Sequence, residues 1–328
     1  MKVVIFEYVS SGAYLSELLY SDLIAEADLM VNALGQGMVD AGCEVLLFRA
    51  PYWPPPQFEA KIIALTEKDN WRAILADTLH GADAYIPVAP ESNALLESLC
   101  AIATATDCLL LNSAAETVHQ TTDKYDTLKK LKAHGIPCVA CCNIDECVFP
   151  MPEDRVIKPN DSIACNHTYL IRAGDTPTAE QRRHAHICQP YLSGTTASLS
   201  VIYSAHAKPC ILGVNRQGIT IDEHGSFELQ ACHVNALAHL DLDFDGLAVA
   251  LQRCFSGLIG YVGIDFIIDD NIPYVLEINP RVTTSFAGLE KTIAMNPCAM
   301  LLAAVRGDPL HYPMRSEFTT HTIDFRGG

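Results

Sequence analysis

The sequence predicts an α/β domain followed by two lobes of mixed helix and strand, and three observations support this prediction. Strand-like and helix-like patterns alternate over residues 1–112, which is typical of a parallel sheet covered by helices on both faces. The pattern changes near Ser113, and several strand-like runs follow one another after Ile187, which favours antiparallel pairing. A chain of 328 residues, 49% of them hydrophobic, can build two or three cores. We therefore expect a parallel-sheet domain over residues 1–112, a small α+β lobe over 113–186 and a larger α+β lobe over 187–328.

The first domain is predicted from its alternating elements. We expect strands at Val3–Tyr8, Glu44–Phe48, Lys61–Leu65, Ala84–Val88 and Cys108–Leu111, and helices at Tyr14–Asp40, Trp71–His80 and Ser92–Ala103. Ligands of open parallel sheets bind beyond the carboxyl ends of the strands. Those ends lead into loops that contain Ser11 and Gly12 after the first strand, and Glu91 and Asn93 after the fourth. The sequence thus predicts a binding crevice beside these loops.

The two lobes are predicted from a longer series of elements. We expect helices at Thr121–His134, Asp245–Ile259 and Phe286–Ala294. We expect strands at Ile136–Cys142, Arg155–Pro159, Ile187–Leu192, Ala197–Tyr203, Pro209–Val214, Ile219–Asp222, Phe227–Val234, Val262–Ile268 and Pro273–Asn279. The last two strands are close enough in sequence to form a hairpin.

Charge and composition exclude several classes of partner. The net charge of −17, without a long basic run, gives no electrostatic basis for binding nucleic acid. No apolar run approaches the ~20 residues that span a bilayer, so no membrane partner is expected. The first residues, MKVVIFEYV, resemble a strand rather than a signal peptide, and the 13 scattered cysteines favour reduced thiols and a cytoplasmic protein. The sequence does not fix the oligomeric state, and a homodimer is compatible with it.

The densest group of cysteines is CVACCNIDEC, residues 138–147, which contains a C-x-x-C pair at Cys138 and Cys141. A zinc site of the usual spacing needs a second cysteine or histidine pair, and none follows nearby. The residues after Pro137 have the small hydrophobic character of a buried strand. We therefore expect these cysteines to pack in a core, and no zinc or iron–sulfur centre to form.

The stretch YVLEINPRVTTSF, residues 274–286, places three polar side chains at alternate positions of a strand. Side chains two residues apart point to the same face, so Glu277, Asn279 and Arg281 should lie together. A strand that runs out into solvent would explain this mixture, and so would a metal and phosphate site.

A second carboxylate comes from the preceding strand, where Asp265 lies among apolar residues that favour a partner for its charge. Asp265 and Glu277 share a face only if the loop between the strands has an odd number of residues, such as Asp270–Ile272, or if a bulge shifts the register. With Asn279 they would form a cluster of oxygen ligands, which suits Mg²⁺.

Two lysines stand out in a chain with only 22 lysines and arginines: Lys158 in the apolar run VIKP, and Lys124 at the start of a charged helix. Singly, each would usually be a solvated side chain. In this order, followed by a hinge strand and the carboxylate hairpin, they resemble the ATP-grasp superfamily, in which two lobes close on ATP and its metal ions. The resemblance covers roughly residues 113–305. It implies an ATP-grasp fold preceded by a Rossmann-like domain.

The resemblance also implies roles for these residues. The residues implied for ATP are Lys124, Lys158, Gln189, Pro190, Tyr191, Leu192 and Arg216, and those implied for Mg²⁺ are Asp265, Glu277 and Asn279. The lysines would contact phosphates, the hinge strand would read adenine, and Glu277 would bridge the metal ions. Arg281 would stabilise charge on the transferring phosphoryl group. Arg216 is either a further phosphate ligand or a surface arginine.

The sequence departs from the superfamily at two places. The phosphate-covering loop is glycine-rich in many relatives, but here it reads NDSIACN, residues 160–166. It would close less tightly, or use serine and backbone donors. The acidic residue that often binds ribose after the hinge is missing from Gly194–Ala197, so the ribose contact is left open.

Within the superfamily, NPRVTTSFAGLE and APESNALLESL resemble the tyramine–glutamate ligases of methanofuran biosynthesis, and ligases of the lysine–ornithine type are close relatives. This resemblance implies a carboxylate and an amine as small-molecule substrates, with glutamate joined to tyramine through an acyl phosphate. The residues implied for substrate binding are Ser11, Gly12, Glu91, Asn93, Thr283 and Thr284. Glu91 would pair with an ammonium group, whereas the hydroxyl run could instead cap the next helix through Ser285. A nucleotide-binding module without catalysis is the alternative from another class.

Overall fold

The computed structural model describes residues 1–14, 21–66, 68–161 and 165–325. Its strands are β1 (Lys2–Glu7), β2 (Glu44–Phe48), β3 (Lys61–Ile63), β4 (Ala84–Val88), β5 (Leu109–Leu110), β6 (Cys142–Asn143), β7 (Arg155–Lys158), β8 (Tyr169–Ile171), β9 (Ile187–Pro190), β10 (Thr195–Tyr203), β11 (Cys210–Ile221), β12 (Phe227–Val234), β13 (Gly260–Asp269), β14 (Ile272–Asn279) and β15 (His321–Asp324). Its helices are α1 (Ser21–Asp40), α2 (Trp71–Leu79), α3 (Leu95–Thr104), α4 (Ala115–Thr122), α5 (Lys124–Ala133), α6 (Ala179–His184), α7 (Phe244–Cys254), α8 (Phe286–Ile293) and α9 (Pro297–Arg306). None of the described helices is both long and apolar enough to cross a bilayer.

The N-terminal strands form the predicted parallel sheet, in the order β3-β2-β1-β4-β5. Its central strands, β1 and β4, are buried almost throughout because helices cover both faces. Val31 and Leu34 of α1 pack on one face, and Leu75 of α2 and Leu99 of α3 pack on the other. The helix predicted from Tyr14 is described only from Ser21 onward, because residues 15–20 lie outside the described part.

The first domain and the large lobe share one hydrophobic core. The face of the parallel sheet that contacts α1 continues into residues of the large lobe, including Ile202, Leu212, Leu289 and Leu301. This continuity fixes the loops at the carboxyl ends of β1 and β4 relative to the large lobe. A site that draws residues from both can therefore be held in one geometry.

The large lobe is built on an antiparallel sheet with the order β14-β13-β10-β11-β12-β15. The two strands predicted at Pro209–Val214 and Ile219–Asp222 are one strand, β11, and the prediction of a break between them is wrong. The polar run between them resembles a turn, but the Asn215 side chain is buried and donates to Ser198 Oγ at 3.2 Å and Ser200 Oγ at 3.1 Å. These hydrogen bonds satisfy the amide, so the strand can continue through it.

The small lobe contains a four-stranded sheet in the order β6-β9-β7-β8. Strand β9 therefore belongs to this sheet, beyond the expected lobe boundary at residue 186. The single helix predicted at Thr121–His134 is wrong, because the chain breaks at Asp123, whose side chain caps α5 by accepting from Asp126 N at 2.8 Å. The strands β8 and β15 and the helices α6 and α9 were not predicted.

The strand predicted at Ile136–Cys142 is also largely wrong, since only Cys142 belongs to a strand of the small sheet. The segment before it instead lies along β14. Val139 N donates to Val275 O, and Val275 N donates to Pro137 O, both at 3.0 Å. The β-like composition of the segment thus reflects pairing with the large lobe rather than a strand of its own lobe.

Candidate active site

The hairpin of β13 and β14 carries the two carboxylates, and its geometry differs from the expected one. Its loop has two residues, Asp270 and Asn271, with φ of 48° and 62°, as in a type I′ turn. The expected loop of odd length is therefore wrong. A β-bulge opposite Asp265 and Phe266 shifts the register instead, so that Asp265 pairs directly with Glu277.

The bulge explains the order of residues in β14. Val275 and Ile278 both face the core of the large lobe although they are three positions apart. Between them, Leu276 and Glu277 both line a cavity on the opposite face. The extra residue of the bulge thus places a carboxylate and an apolar side chain side by side on the same surface.

The Asp265 carboxyl group lies in a dense set of hydrogen bonds. It accepts from Gln217 Nε2 at 2.9 Å and from Asn279 Nδ2 at 3.0 Å, and it shares a further hydrogen bond with Glu277. Burial and the neighbouring Glu277 charge raise the pKa of Asp265. Burial opposes the ionisation of Glu277, but Lys124 and Lys158 outweigh it and lower the pKa of Glu277. The two pKa shifts have opposite directions, so Asp265 is the carboxyl group of the pair that loses its proton less readily.

Both predicted lysines converge on one oxygen of this pair. Lys124 Nζ lies 3.4 Å and Lys158 Nζ 4.0 Å from Glu277 Oε2. Lys124 is the first residue of α5, and Lys158 is the last residue of β7, so the small-lobe sheet and the helix beside it supply one ammonium group each. Burial and the charge of Lys124 lower the pKa of Lys158, although the carboxylates oppose this shift. Two cations and two carboxyl groups thus meet in one buried cluster.

A cavity of about 420 Å³ opens beside this cluster, between the small-lobe sheet and the large-lobe sheet. This volume is within the range of small-molecule sites. Its walls include Val156, Lys158, Cys165, Gln189, Pro190, Tyr191, Leu192, Thr195, Thr196, Arg216, Gln217, Phe227, Asp265, Leu276 and Glu277. The four predicted hinge residues and Arg216 therefore all line the same cavity as the carboxylates.

Two features of the cavity bear on ligand recognition. The Gln189 side chain is buried, and its Nε2 has no hydrogen-bond partner in the described structure, so this amide can donate to a ligand. Among the described residues of the cavity wall, only Asp265 and Glu277 carry carboxylates. A ribose-binding acid is therefore missing from this wall.

The phosphate-covering loop predicted at residues 160–166 includes residues 162–164, which lie outside the described part of the chain. Its closure therefore stays a prediction.

Arg281 lies at the junction with the first domain. Its Nε donates to Glu91 Oε1 at 2.8 Å, and its Nη1 donates to Val282 O at 3.2 Å. Burial disfavours the charge, but Glu91 outweighs it and raises the pKa of Arg281. Glu91, which was predicted to pair with a substrate ammonium group, is thus occupied by this arginine.

The other predicted substrate residues are distributed over three loops, which follow β1, β4 and β14, and they do not line the cavity. Ser11 Oγ donates to Tyr8 O at 2.9 Å, Gly12 has a φ of 94°, and Asn93 N donates to Asp161 Oδ2 at 3.4 Å. Thr283 Oγ1 lies 3.0 Å from Tyr261 Oη, and Thr284 Oγ1 donates to Glu26. These contacts are made within the protein and lie outside the cavity beside Glu277.

Ser285 occupies the N-cap position of α8, as the alternative interpretation of the hydroxyl run expects. Its side chain, however, makes no capping hydrogen bond. Its Oγ lies 3.0 Å from Ser200 Oγ and 3.1 Å from Tyr261 Oη. This buried polar network fixes the backbone that follows Arg281.

Sequence reasoning missed Gln217, which holds Asp265 from the neighbouring strand. The sequence contains little indication of this role, because Gln217 lies between two predicted strands and was assigned to neither. Cys165 was named only within the loop, although it lines the cavity. Both residues become recognisable only when the antiparallel sheet is known.

Comparisons with known proteins agree with this geometry. Residues 121–285 match the model of an ATP-grasp domain, and residues 43–118 match that of a pre ATP-grasp 3 domain. A tyramine–L-glutamate ligase from Methanocaldococcus fervens is 25% identical over 292 residues, covering 88% of this chain and 89% of that protein. Another from Methanocaldococcus jannaschii is 27% identical over 243 residues, covering 74% and 68%. The fold resembles the crystal structure of an ATP-grasp superfamily protein from Archaeoglobus fulgidus, with a TM-score of 0.69, 21% identity and 99% of each chain covered.

Proposed function

Because the chain belongs to the ATP-grasp family and is a ligase that forms C–N bonds, we propose that it joins the γ-carboxylate of glutamate to tyramine at the expense of ATP. The products would be γ-glutamyltyramine, ADP and phosphate. The observation that carries this proposal is the convergence of Lys124 and Lys158 on Glu277, beside Asp265, at the end of a nucleotide-sized cavity. The relatives that share this length of chain support the choice of substrates.

The residues around Asp265 fit Mg²⁺. The donor set consists of hard oxygen ligands, and the hydrogen bond between Asp265 and Glu277 brings their oxygens close enough for one ion to contact both. Asn279 donates to Asp265 through Nδ2, which leaves its Oδ1 as a third oxygen donor. When bound, Mg²⁺ would neutralise charge on the phosphates of the nucleotide. If Mg²⁺ binds Glu277, the ammonium groups of Lys124 and Lys158 lose their present anionic partner. The phosphate oxygens of the nucleotide would replace it.

The proposed nucleotide position follows from the cavity. The unpartnered Gln189 amide and the hinge residues Tyr191 and Leu192 would face adenine. Lys158 lies opposite Ile187 in the pairing of β7 with β9, so the residues that follow Gln189 extend away from Lys158. Lys124 and Lys158 would bind the phosphates as point charges at the carboxylate end. Arg216 is exposed at the cavity wall and can approach the same phosphates from the large lobe.

The proposed reaction proceeds in two steps that this geometry can hold. An oxygen of the γ-carboxylate attacks the terminal phosphorus of ATP, the bond from phosphorus to the bridging oxygen breaks, and ADP leaves. The amine nitrogen then attacks the acyl carbon, phosphate leaves, and the nitrogen loses a proton. In this proposal Arg281, whose guanidinium is held by Glu91, would stabilise negative charge on the phosphoryl group and then on the acyl phosphate.

A matrix of amino acids and amines tests this proposal through ADP release by the purified protein. We expect rapid ADP formation only when glutamate and tyramine are both present with ATP and Mg²⁺, together with a product of the mass of γ-glutamyltyramine. Faster turnover with a different pair, such as lysine and ornithine, would contradict the substrates but not the ligase. Nucleotide binding without ADP release under any pair would indicate a binding module instead.

Replacing Lys158 with alanine tests the nucleotide site directly. We expect the affinity for ATP to fall by about 10- to 100-fold, since a charged hydrogen bond contributes roughly 1.5–3 kcal/mol. Thermal stability should change little, because Lys124 remains beside Glu277 and the cost of burying Lys158 is removed. Calorimetric titration with ATP measures the affinity, and thermal unfolding measures the stability, of Lys158→Ala and of the exposed control Lys132→Ala. Equal ATP affinity in the two variants would make Lys158 a structural lysine.

A further inference from the structure

Three cysteines of the small lobe meet behind the nucleotide cavity. Cys142 and Cys188 face each other across the antiparallel pair of β6 and β9. The short helical turn at Ile144–Glu146 brings the chain back, so that Cys147 Sγ lies 3.2 Å from Cys142 Sγ. All three sulfur atoms lie within 4.8 Å of one another, and none is in a disulfide.

The spacing of these sulfurs matches a three-coordinate metal site. With metal–sulfur bonds of about 2.3 Å, a trigonal ion holds its sulfurs about 4.0 Å apart. The separations here, 3.2 Å for one pair and at most 4.8 Å for the others, need only small side-chain shifts to reach that value. The cluster is seated in an apolar core with Ile144, Ile157 and Ala185, which would keep water from the ion.

A second observation is a cation beside this cluster. Arg155 lies on the neighbouring strand β7, on the same face as Ile157, which is the residue opposite Cys188. Its Nη2 donates to Glu153 Oε2 at 3.2 Å. Its Nε is buried and has no hydrogen-bond partner among the described residues. A guanidinium with an unused donor beside three thiols is suited to stabilise thiolates rather than neutral thiols.

We propose that Cys142, Cys147 and Cys188 form a three-thiolate site for a soft monovalent ion, with Cu(I) as the ion of best fit. Soft thiolate ligands select Cu(I), which accepts three of them. Structural zinc usually takes four ligands, and iron–sulfur clusters take four cysteines. The group within reach among the described residues offers three. Neither Cys138 nor Cys141 of the C-x-x-C pair belongs to it.

Binding of Cu(I) replaces three protons, since each sulfur must be a thiolate to coordinate the ion. Protons compete with the ion for the sulfurs, so the affinity should rise with pH over the neutral range. The ion would link β6 to β9 on the face opposite the Gln189 side chain, because neighbouring residues of a strand point to opposite faces. We therefore expect Cu(I) to stabilise the small lobe without entering the nucleotide cavity.

Anaerobic titration of the reduced full-length chain with Cu(I), in competition with bicinchoninate, tests the site. We expect one equivalent of Cu(I) to resist the chelator and to raise Tm. Cys142→Ser and Cys188→Ser should lose this equivalent, whereas Cys138→Ser should keep it. Arg155→Gln retains all three thiols and should weaken Cu(I) binding by about 10-fold, as is typical for the loss of a group that supports metal ligands.

The outcomes separate the site from nonspecific thiol binding. If the chelator removes all Cu(I) from the unaltered chain, or if Cys142→Ser binds it as tightly as Cys138→Ser, the proposal is overturned. An unchanged affinity in Arg155→Gln would refute the part assigned to the guanidinium. Nucleotide binding by each variant shows whether it is folded, so a loss of Cu(I) cannot be ascribed to unfolding.

Discussion

Replacement of Glu277 with glutamine is expected to reduce turnover by at least about 100-fold, the scale on which single groups that stabilise transition-state charge contribute. Glu277 lies between Asp265 and the two lysines, whose charges lower the pKa of Glu277. The amide keeps the shape of the side chain but cannot neutralise Mg²⁺ or the ammonium groups. The rate should therefore fall even when both substrates are saturating.

The same variant should remain folded, for an electrostatic reason. Without the Glu277 charge, one cause of the raised pKa of Asp265 disappears, and Asp265 can ionise. The buried cluster then still contains one carboxylate for Lys124 and Lys158. ADP release and thermal unfolding of Glu277→Gln, compared with the exposed Glu290→Gln, measure the two effects. Near-normal turnover at ordinary Mg²⁺ concentration would remove Glu277 from the metal site.

Replacement of Arg281 with alanine should lower kcat by about 100- to 1,000-fold, because in the proposed reaction Arg281 is the fixed cation that stabilises the developing phosphoryl charge. It should also destabilise the fold by roughly 3–5 kcal/mol, since Glu91 is left as a buried carboxylate without its partner. The two effects have different causes and can be separated.

The double variant Arg281→Ala/Glu91→Leu separates them. Removing both charges should recover much of the thermal stability, because no unpaired ion remains in the core. Turnover should stay low, since the guanidinium is still missing. Recovery of turnover together with stability would show that Arg281 supports only the junction of the domains. Unfolding midpoints and steady-state rates of the single and double variants provide the comparison.

The sequence was sufficient to predict the parallel sheet, most strands of the large lobe and the set of residues around the cavity. Lys124, Lys158, Asp265 and Glu277 were found because their order along the chain resembles a family, and the structure brings them together. The sequence left a loop of odd length and a bulge as alternatives, and it could not decide between them because strict alternation assumes regular pairing. In retrospect, two apolar residues three positions apart in β14, Val275 and Ile278, indicate the bulge.

Contacts between segments that are distant along the chain could not be predicted from the sequence. Glu91 and Arg281 are 190 positions apart and meet only because the first domain and the large lobe share a core. The segment after Ile136 was predicted to be a strand of the small lobe. Its residue types favour β-structure, but they do not identify the strand with which the segment pairs. Cys142 and Cys188 likewise become neighbours only through the pairing of β6 with β9.

The pairing of the segment Pro137–Val139 with Val275 has a consequence for aggregation. Strand β14 ends the large sheet, and an uncovered terminal strand offers its free backbone groups as a template for another chain. Here a segment of the same molecule takes up the backbone groups of Val275, in the middle of β14. An intruding strand would first have to displace the connection that leads into the small lobe. The strand that bears Glu277 is thus protected from intermolecular β-pairing by the same segment that joins the two lobes.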